Sequence, residues 1–86
     1  MRLGGSDHGL AMPDTMLDTR GLKCPLPVLR ARKAMQRVAP GEVLGVLATD
    51  PGTVRDFEAF CAATGHELLE HRHQNGEFTF RIRKRR

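Results

Sequence analysis

The length and composition of the sequence limit the classes of protein to which it can belong. Its 86 residues exclude a two-domain enzyme with a cleft between lobes, and a Rossmann fold or (β/α)8 barrel needs about two to three times this length. Hydrophobic residues make up 40% and charged residues 28% of the chain, which is typical of a soluble globular domain rather than a disordered chain.

The net charge of +4 comes mainly from the C-terminal end. The chain has 14 basic and 10 acidic residues, and its last four residues, Arg83, Lys84, Arg85 and Arg86, are all basic. Removing these four leaves 10 basic against 10 acidic residues, which weakens any argument that the whole domain binds nucleic acid. The tail is interpreted either as a solubilising end or as an aid to docking on a polyanion.

Neither a targeting segment nor a membrane span is predicted. Residues 1–15 have no apolar run and are predicted to be a disordered leader, followed by one domain over residues 16–84 and the end of the basic tail at 85–86. Two cysteines, Cys24 and Cys61, are too few for a secreted disulfide framework. A cytoplasmic protein with reduced thiols is therefore expected.

The first half of the domain is predicted to form a strand, a helix and a second strand. Residues 16–20 are extended, and a turn at Gly21 leads into a helix over residues 25–38. The apolar face of this helix consists of Pro27, Val28, Ala31, Ala34, Met35 and Val38. A Pro-Gly pair ends the helix, and the apolar run in residues 42–49 predicts a central strand.

A second helix is predicted after this strand. Residues 50–53 favour a helix start, where Thr53 and Asp56 resemble a capping pair. Gly65 is in the position of a glycine that ends a helix. The apolar face of this helix consists of Val54, Phe57, Phe60 and Cys61.

The last part of the chain is predicted to be a β-hairpin, with strands over residues 66–73 and 77–84 joined around Asn75-Gly76. The element order β-α-β-α-β-β predicts an α/β (α+β) fold. It is a two-layer sandwich in which two helices cover one face of a four-stranded mixed sheet. The other face of the sheet must then contact solvent, a partner or a second copy.

The chemistry of the chain centres on Cys24. Because Pro25 suits the first position of a helix, Cys24 is predicted to be the N-cap residue, where serine, threonine, aspartate or asparagine is usual. The positive end of a helix dipole favours thiolate over thiol, and Lys23 and Arg20 add positive charge. We therefore expect an exposed, reactive thiol with a lowered pKa.

The remaining cysteine and the histidines are interpreted as structural residues rather than as nucleophiles or metal ligands. Cys61 lies on the apolar face of the second helix and is interpreted as a core residue. His71 and His73 share one face of a strand, with His66 on the opposite face, so a third ligand is missing and no metal site is predicted.

A basic stripe runs along the first helix. Arg30, Lys33 and Arg37 follow helical spacing, and Leu26 lies beside them, off the apolar face. The stripe is interpreted either as a solvated helix face or, together with Leu26, as a docking surface for an acidic partner.

Several blocks of the sequence resemble the TusA/SirA sulfur-carrier family. The blocks are Leu17-Asp18-Thr19-Arg20-Gly21-Leu22-Lys23-Cys24-Pro25-Leu26-Pro27, Pro40-Gly41-Glu42, Ala48-Thr49-Asp50-Pro51-Gly52-Thr53, Asp56, Phe60-Cys61 and Gly65-His66-Glu67-Leu68. A lone Cys-Pro-x-Pro motif is a weak signal, but these blocks occur in order over residues 16–84. The resemblance implies the same βαβαββ sandwich.

The resemblance also implies a persulfide relay that needs no cofactor or metal. Cys24 would accept sulfane sulfur from a cysteine desulfurase or rhodanese-like donor and pass it to a downstream protein. That protein would serve tRNA thiolation, molybdenum cofactor maturation or sulfur metabolism. The family pattern assigns roles in positioning the cysteine to Asp18, Gly21, Pro25 and Pro27, and assigns Asp50 to capping the second helix. Leu26 stands where some relatives carry glutamate, so the choice of partner can differ.

Two alternatives remain open. A regulatory or RNA/DNA-binding module could use the basic tail and the open sheet face, although that face lacks aromatic platforms and Phe78 and Phe80 are more simply core residues. A redox or selenium-handling protein could use Cys24 alone.

Overall fold

The computed structural model describes residues 15–86 of the chain. The elements are β1 (Thr15–Thr19), α1 (Leu26–Met35), β2 (Val43–Ala48), α2 (Thr53–Thr64), β3 (Glu67–Gln74) and β4 (Glu77–Arg83). All six predicted elements are present, with somewhat different ends. Thr15, the last residue of the predicted leader, begins β1, and the rest of that leader lies outside the described residues.

The four strands form one mixed sheet in the order β1-β2-β4-β3. β1 runs parallel to β2, whereas β4 is antiparallel to both β2 and β3. α1 and α2 pack their buried residues into the same core as the buried residues of β2 and β4. The predicted two-layer sandwich with a four-stranded mixed sheet is thereby confirmed.

The core lies between the helices and one face of the sheet. Alternate residues of β2 and β4 are at most 7% exposed: Leu44, Val46, Ala48, Phe78, Phe80 and Ile82. On α2, the ring of Phe57 lies with its centroid 4.7 Å from that of Phe80 and 6.3 Å from that of Phe60. The contact of Phe57 with Phe80 attaches α2 to the sheet, and the Phe57–Phe60 contact within α2 has the edge-to-face geometry that aromatic rings prefer.

The start of α1 differs from the prediction. Pro25, with φ −100° and ψ 18°, is the N-cap residue, and its carbonyl accepts a hydrogen bond from the Leu29 amide (3.2 Å). The Leu26 amide donates to the Lys23 carbonyl (2.8 Å), so the chain makes a turn before the helix begins. Cys24 lies inside this turn, one residue before the cap, and the prediction that it is the N-cap is wrong.

α1 ends at Met35, earlier than predicted, because its last turn tightens. The amides of residues 36–38 bond to carbonyls three residues back rather than four, as is common where a helix ends. Lys84 then donates from Nζ to the carbonyls of Met35 (3.0 Å) and Val38 (2.8 Å). This basic residue therefore stabilises the helix C-terminus.

The start of α2 also differs from the expected capping pair. Gly52 is the N-cap residue, no side chain caps the helix, and the buried Thr53 hydroxyl has no hydrogen-bond partner among the described residues. The Thr53–Asp56 capping pair is therefore wrong. The other end follows the prediction, since Gly65 adopts φ 84° and its amide donates to the Cys61 carbonyl (2.9 Å).

The β3–β4 hairpin turns at Asn75 and Gly76, which both have positive φ, as a two-residue hairpin turn requires. A register shift between Leu68 and Glu70 in β3 changes which side chains face the helices. The His66 ring lies 5.6 Å from Phe60 of α2, whereas His71 and His73 lie against Phe80 and Phe78. All three histidines are thus on the helix side, and the predicted opposite placement of His66 is wrong.

Candidate functional site

Cys24 lies at the edge of the sheet where β1 and β2 both end. Because these two strands are parallel, the β1–α1 and β2–α2 loops meet at this edge, the usual place for functional groups in sheets with parallel strands. The side chain of Cys24 is exposed and free, as predicted. Its nearest polar neighbours come from the second loop and from the first turn of α2.

Asp50 connects the two loops. One carboxylate oxygen accepts a hydrogen bond from the Cys24 amide and the other accepts one from the Gly52 amide, both at 2.8 Å. These two bonds hold the pKa of Asp50 below its ordinary value. Asp50 thus positions Cys24 in addition to ordering the approach to α2, a role that the sequence did not indicate.

Gly52 allows the close approach of the two loops. A Cβ atom at this position would lie 3.4 Å from the Cβ of Cys24, 3.5 Å from its Sγ and 3.3 Å from Asp50 Oδ1. A side chain here would therefore touch the thiol and would press on the carboxylate that holds the Cys24 backbone.

The residues before Cys24 form a turn built on Asp18 and Gly21. Gly21 has φ +83° and its amide donates to the Thr49 hydroxyl (2.9 Å), which ties the turn to the end of β2. Asp18 accepts hydrogen bonds from the backbone and the guanidinium of Arg20, which lower its pKa to about 2. Arg20 also forms an ion pair with Glu77 (3.2 Å). Its guanidinium is therefore engaged by Asp18 and Glu77 rather than by the Cys24 thiol.

The thiol itself is in contact with a carboxylate. Cys24 donates a short hydrogen bond from Sγ to Oδ2 of Asp56, in the first turn of α2. This hydrogen bond is the largest cause that raises the pKa of Cys24, followed by partial desolvation and by the charges of Asp56 and Asp50. The expectation of a lowered pKa is wrong, because the nearest charged groups are negative.

A shallow cavity of about 560 Å³ opens beside the thiol. Its lining residues are Cys24, Pro51, Gly52, Val54, Arg55, Asp56 and Glu58. A second groove of about 260 Å³ lies between α1 and α2 and shares Asp56 with the first. Space for an incoming sulfur or side chain is therefore present on the α2 side of Cys24.

The residues predicted for partner docking all lie on the surface of α1 or just after it: Leu26, Arg30, Lys33 and Arg37. Leu26 is 43% exposed, and Leu29, which the sequence did not single out, is 50% exposed. The helix that begins two residues after Cys24 thus carries two exposed leucines in its first turn. Amphipathic spacing would have identified Leu29, because it lies off the apolar face.

The remaining candidate groups have structural surroundings. Cys61 is 8% exposed within the core, as predicted, and desolvation raises its pKa to about 11. Within residues 15–86 no group of three or more histidine, cysteine or acidic side chains could hold a metal ion. Phe57, Phe60, Phe78 and Phe80 are all buried, so they offer no stacking platform to a nucleic acid.

Most of the basic tail contacts the domain itself. Arg83 pairs with Glu67 (3.4 Å), and Lys84 binds the carbonyls at the end of α1. The Arg85 amide donates to Nδ1 of His66 (3.1 Å), and its guanidinium donates to the Thr64 carbonyl (3.3 Å). These contacts give the tail a structural role that its composition alone did not indicate.

Comparison with known proteins gives consistent matches over almost the whole described chain. The family described as "Sulfurtransferase TusA" matches residues 15–84. The "Sulfur carrier protein TusA" of Allochromatium vinosum is 52% identical over 71 residues, 83% of this chain and 93% of that protein. The protein of the same name from Pseudomonas aeruginosa is 44% identical over 72 residues, 84% of this chain and 91% of that protein.

The fold has a counterpart among solved structures. The crystal structure of a SirA-like protein from Desulfitobacterium hafniense has a TM-score of 0.73 and 26% sequence identity, and the match covers 84% of this chain and 99% of that one. No helix within residues 15–86 is long and apolar enough to cross a membrane. The family match and the identity to the sulfur carriers place this chain in the TusA sulfurtransferase family.

Proposed function

We propose that this chain is a sulfur carrier that accepts sulfane sulfur as a persulfide on Cys24 and delivers it to a downstream protein. Its membership of the TusA family supports sulfur transfer. Cys24 is chosen as the sulfur-accepting residue because its thiol is exposed where two loops meet, beside a cavity of about 560 Å³. Cys61, in contrast, is 8% exposed and lies within the core.

The transfer chemistry requires an accessible sulfur and a positioned backbone. The Cys24 thiolate attacks the outer sulfur of a donor persulfide; the new S–S bond forms on Sγ, and the donor leaves as a thiolate that takes up the proton. The Asp50 carboxylate holds the Cys24 amide (2.8 Å), so the sulfur is presented from a fixed backbone. The reaction is a sulfur transfer between proteins, carrier-like rather than a full catalytic cycle, and it uses no cofactor or metal.

The partners follow from this chemistry. The donor is a cysteine desulfurase or a rhodanese-like protein, and the acceptor is a protein thiol in tRNA thiolation, molybdenum cofactor maturation or sulfur metabolism. Docking uses Leu26 and the basic stripe of Arg30, Lys33 and Arg37, all exposed on α1 or just after it. A cytoplasmic location suits both the free thiols and these partners.

The test is intact-mass measurement after incubation with cysteine and a cysteine desulfurase. The wild-type chain is expected to gain one sulfur that a reductant removes. Cys24→Ser is expected to abolish the adduct, and the matched variant Cys61→Ala to retain it. An adduct that persists in Cys24→Ser and is lost in Cys61→Ala contradicts the proposal.

A further inference from the structure

Asp56 contacts the reacting sulfur but has no role in the transfer as described above. It accepts a hydrogen bond from Cys24 Sγ, it is half-buried in the first turn of α2, and it lines both the cavity beside the thiol and the groove between the helices. A carboxylate in this position disfavours negative charge on the sulfur, which is the opposite of what a site for a stable thiolate requires.

The form of the sulfur that this carboxylate favours depends on the state of Cys24. In the unloaded protein Sγ carries the proton that Asp56 accepts. In the loaded protein Sγ of Cys24 has no proton, and the S–H group of the persulfide is on the outer sulfur, one bond beyond Sγ. The cavity beside Sγ is the space open to this outer sulfur, and Asp56 lines it, so the carboxylate is available to accept a hydrogen bond from the outer S–H group.

We propose that Asp56 keeps the persulfide on Cys24 in its neutral, protonated form and so makes the outer sulfur an electrophile that an acceptor thiolate can attack. A persulfide is more acidic than a thiol, so without such a group it would be an anion that repels the incoming thiolate. This inference rests on the proposed function, because it requires that Cys24 is the loaded residue.

The discharge step balances with Asp56 as a hydrogen-bond acceptor only. The acceptor thiolate attacks the outer sulfur, a new S–S bond forms, and the Sγ–S bond breaks with its electron pair on Sγ. The hydrogen on the outer sulfur leaves with it. The Sγ thiolate takes up the proton that the acceptor thiol released, and Sγ again donates to Asp56. Sulfane sulfur moves without net oxidation or reduction, so no further reagent is needed.

Other charged groups face this site and define the controls. Asp50 lies on the backbone side of Cys24, Lys23 precedes it in the chain, and Arg55 and Glu58 line the same cavity. Arg32 of α1 lines the groove that Asp56 shares. Among the acidic groups here, Asp56 accepts the hydrogen bond from Sγ, so Glu58→Gln removes an equal charge from the cavity without removing that contact.

The experiment titrates the persulfide on the intact chain. Wild type, Asp56→Asn, Asp56→Glu and Glu58→Gln are loaded with a desulfurase, and ionisation of the outer sulfur is followed against pH by the ultraviolet absorbance of the persulfide anion. Asp56→Asn is expected to lower the midpoint by about one pH unit, a tenfold change in the ionisation constant. Asp56→Glu and Glu58→Gln are expected to stay close to wild type.

A second readout measures release. Discharge to a small acceptor thiol is expected to decline at a lower pH in Asp56→Asn than in wild type, by the same shift as the midpoint. Equal midpoints in Asp56→Asn and wild type, or an equal shift in Glu58→Gln, overturn the inference while leaving Cys24 as the loaded residue. Loading that survives in Cys24→Ser contradicts the proposed function instead.

Discussion

The two cysteines place the same side chain in opposite surroundings. Cys24 is exposed in a loop between a strand and a helix, and Cys61 is 8% exposed in the core. The pKa of each thiol is raised, but by different causes: a hydrogen bond to Asp56 for Cys24, and desolvation for Cys61. The comparison shows that accessibility and a space for a second sulfur, rather than a lowered pKa, distinguish the candidate sulfur-carrying cysteine from the structural one.

The largest expected difference between the two cysteines is in their reaction with alkylating reagents. In the folded protein at neutral pH, Cys24 is expected to react about 100-fold faster than Cys61, since a buried thiol reacts only after local opening. The measurement is the rate of iodoacetamide labelling at each site by mass spectrometry. In denaturant the two rates should converge, and a difference that remains there would contradict burial as the cause.

The second difference is in stability. Cys61→Ser places a hydroxyl in the core and is expected to lower the free energy of unfolding by about 1–3 kcal/mol. Cys24→Ser changes an exposed loop residue and is expected to stay within about 0.5 kcal/mol of wild type. Urea unfolding of both variants measures this, and equal losses would show that Cys24 also contributes to packing.

The third expected effect concerns encounter with the donor. Reversing two charges of the stripe, Arg30→Glu and Lys33→Glu, is expected to slow sulfur transfer from the donor protein by about tenfold at low salt, because surface charge acts mainly on the encounter rate. Added salt should slow the wild type and affect the variant less. Reaction with small alkylating reagents serves as the control and should not change. Equal transfer rates for both proteins across the salt range would leave the stripe as a solvated helix face.

The smallest expected effect tests whether the hydrogen bond to Asp56 raises the pKa of Cys24. Removing the carboxylate in Asp56→Asn should lower the pKa of Cys24, so that more thiolate is present at neutral pH. Nucleophilicity falls as the pKa falls, so the net gain in alkylation rate at pH 7 is about threefold for each unit of pKa lowered. The rate is measured against pH, and a midpoint that rises in Asp56→Asn would contradict the assigned hydrogen bond.

Regular sequence patterns allowed the fold to be predicted. The alternation in β4, the apolar faces of both helices and the Asn75-Gly76 turn are local signals, and each corresponds to its element. The residues at which the helices begin and end were harder to predict, because they depend on contacts between residues that are distant in the sequence. The bonds from Lys84 to Met35 and Val38 join positions 49 and 46 residues apart.

The candidate site could be predicted only in part, because it too depends on residues that are distant in the sequence. Cys24 stands out through its neighbours in the chain, but Asp50 and Asp56 reach it from 26 and 32 residues further along. Asp56 had a local interpretation as a capping residue, which concealed its contact with the thiol. Local sequence thus predicted the exposed thiol of Cys24 correctly and its electrostatic surroundings incorrectly.

The most direct test of the central claim uses the unmodified chain, in which both thiols compete for the same sulfur. After incubation with cysteine and a desulfurase, alkylation of the outer sulfur and trypsin digestion separate the two sites into peptides 24–30 and 56–72. The added sulfur is expected on the peptide 24–30 and should disappear from it when an acceptor thiol is added. Sulfur found on the peptide 56–72, with none on 24–30, would contradict it.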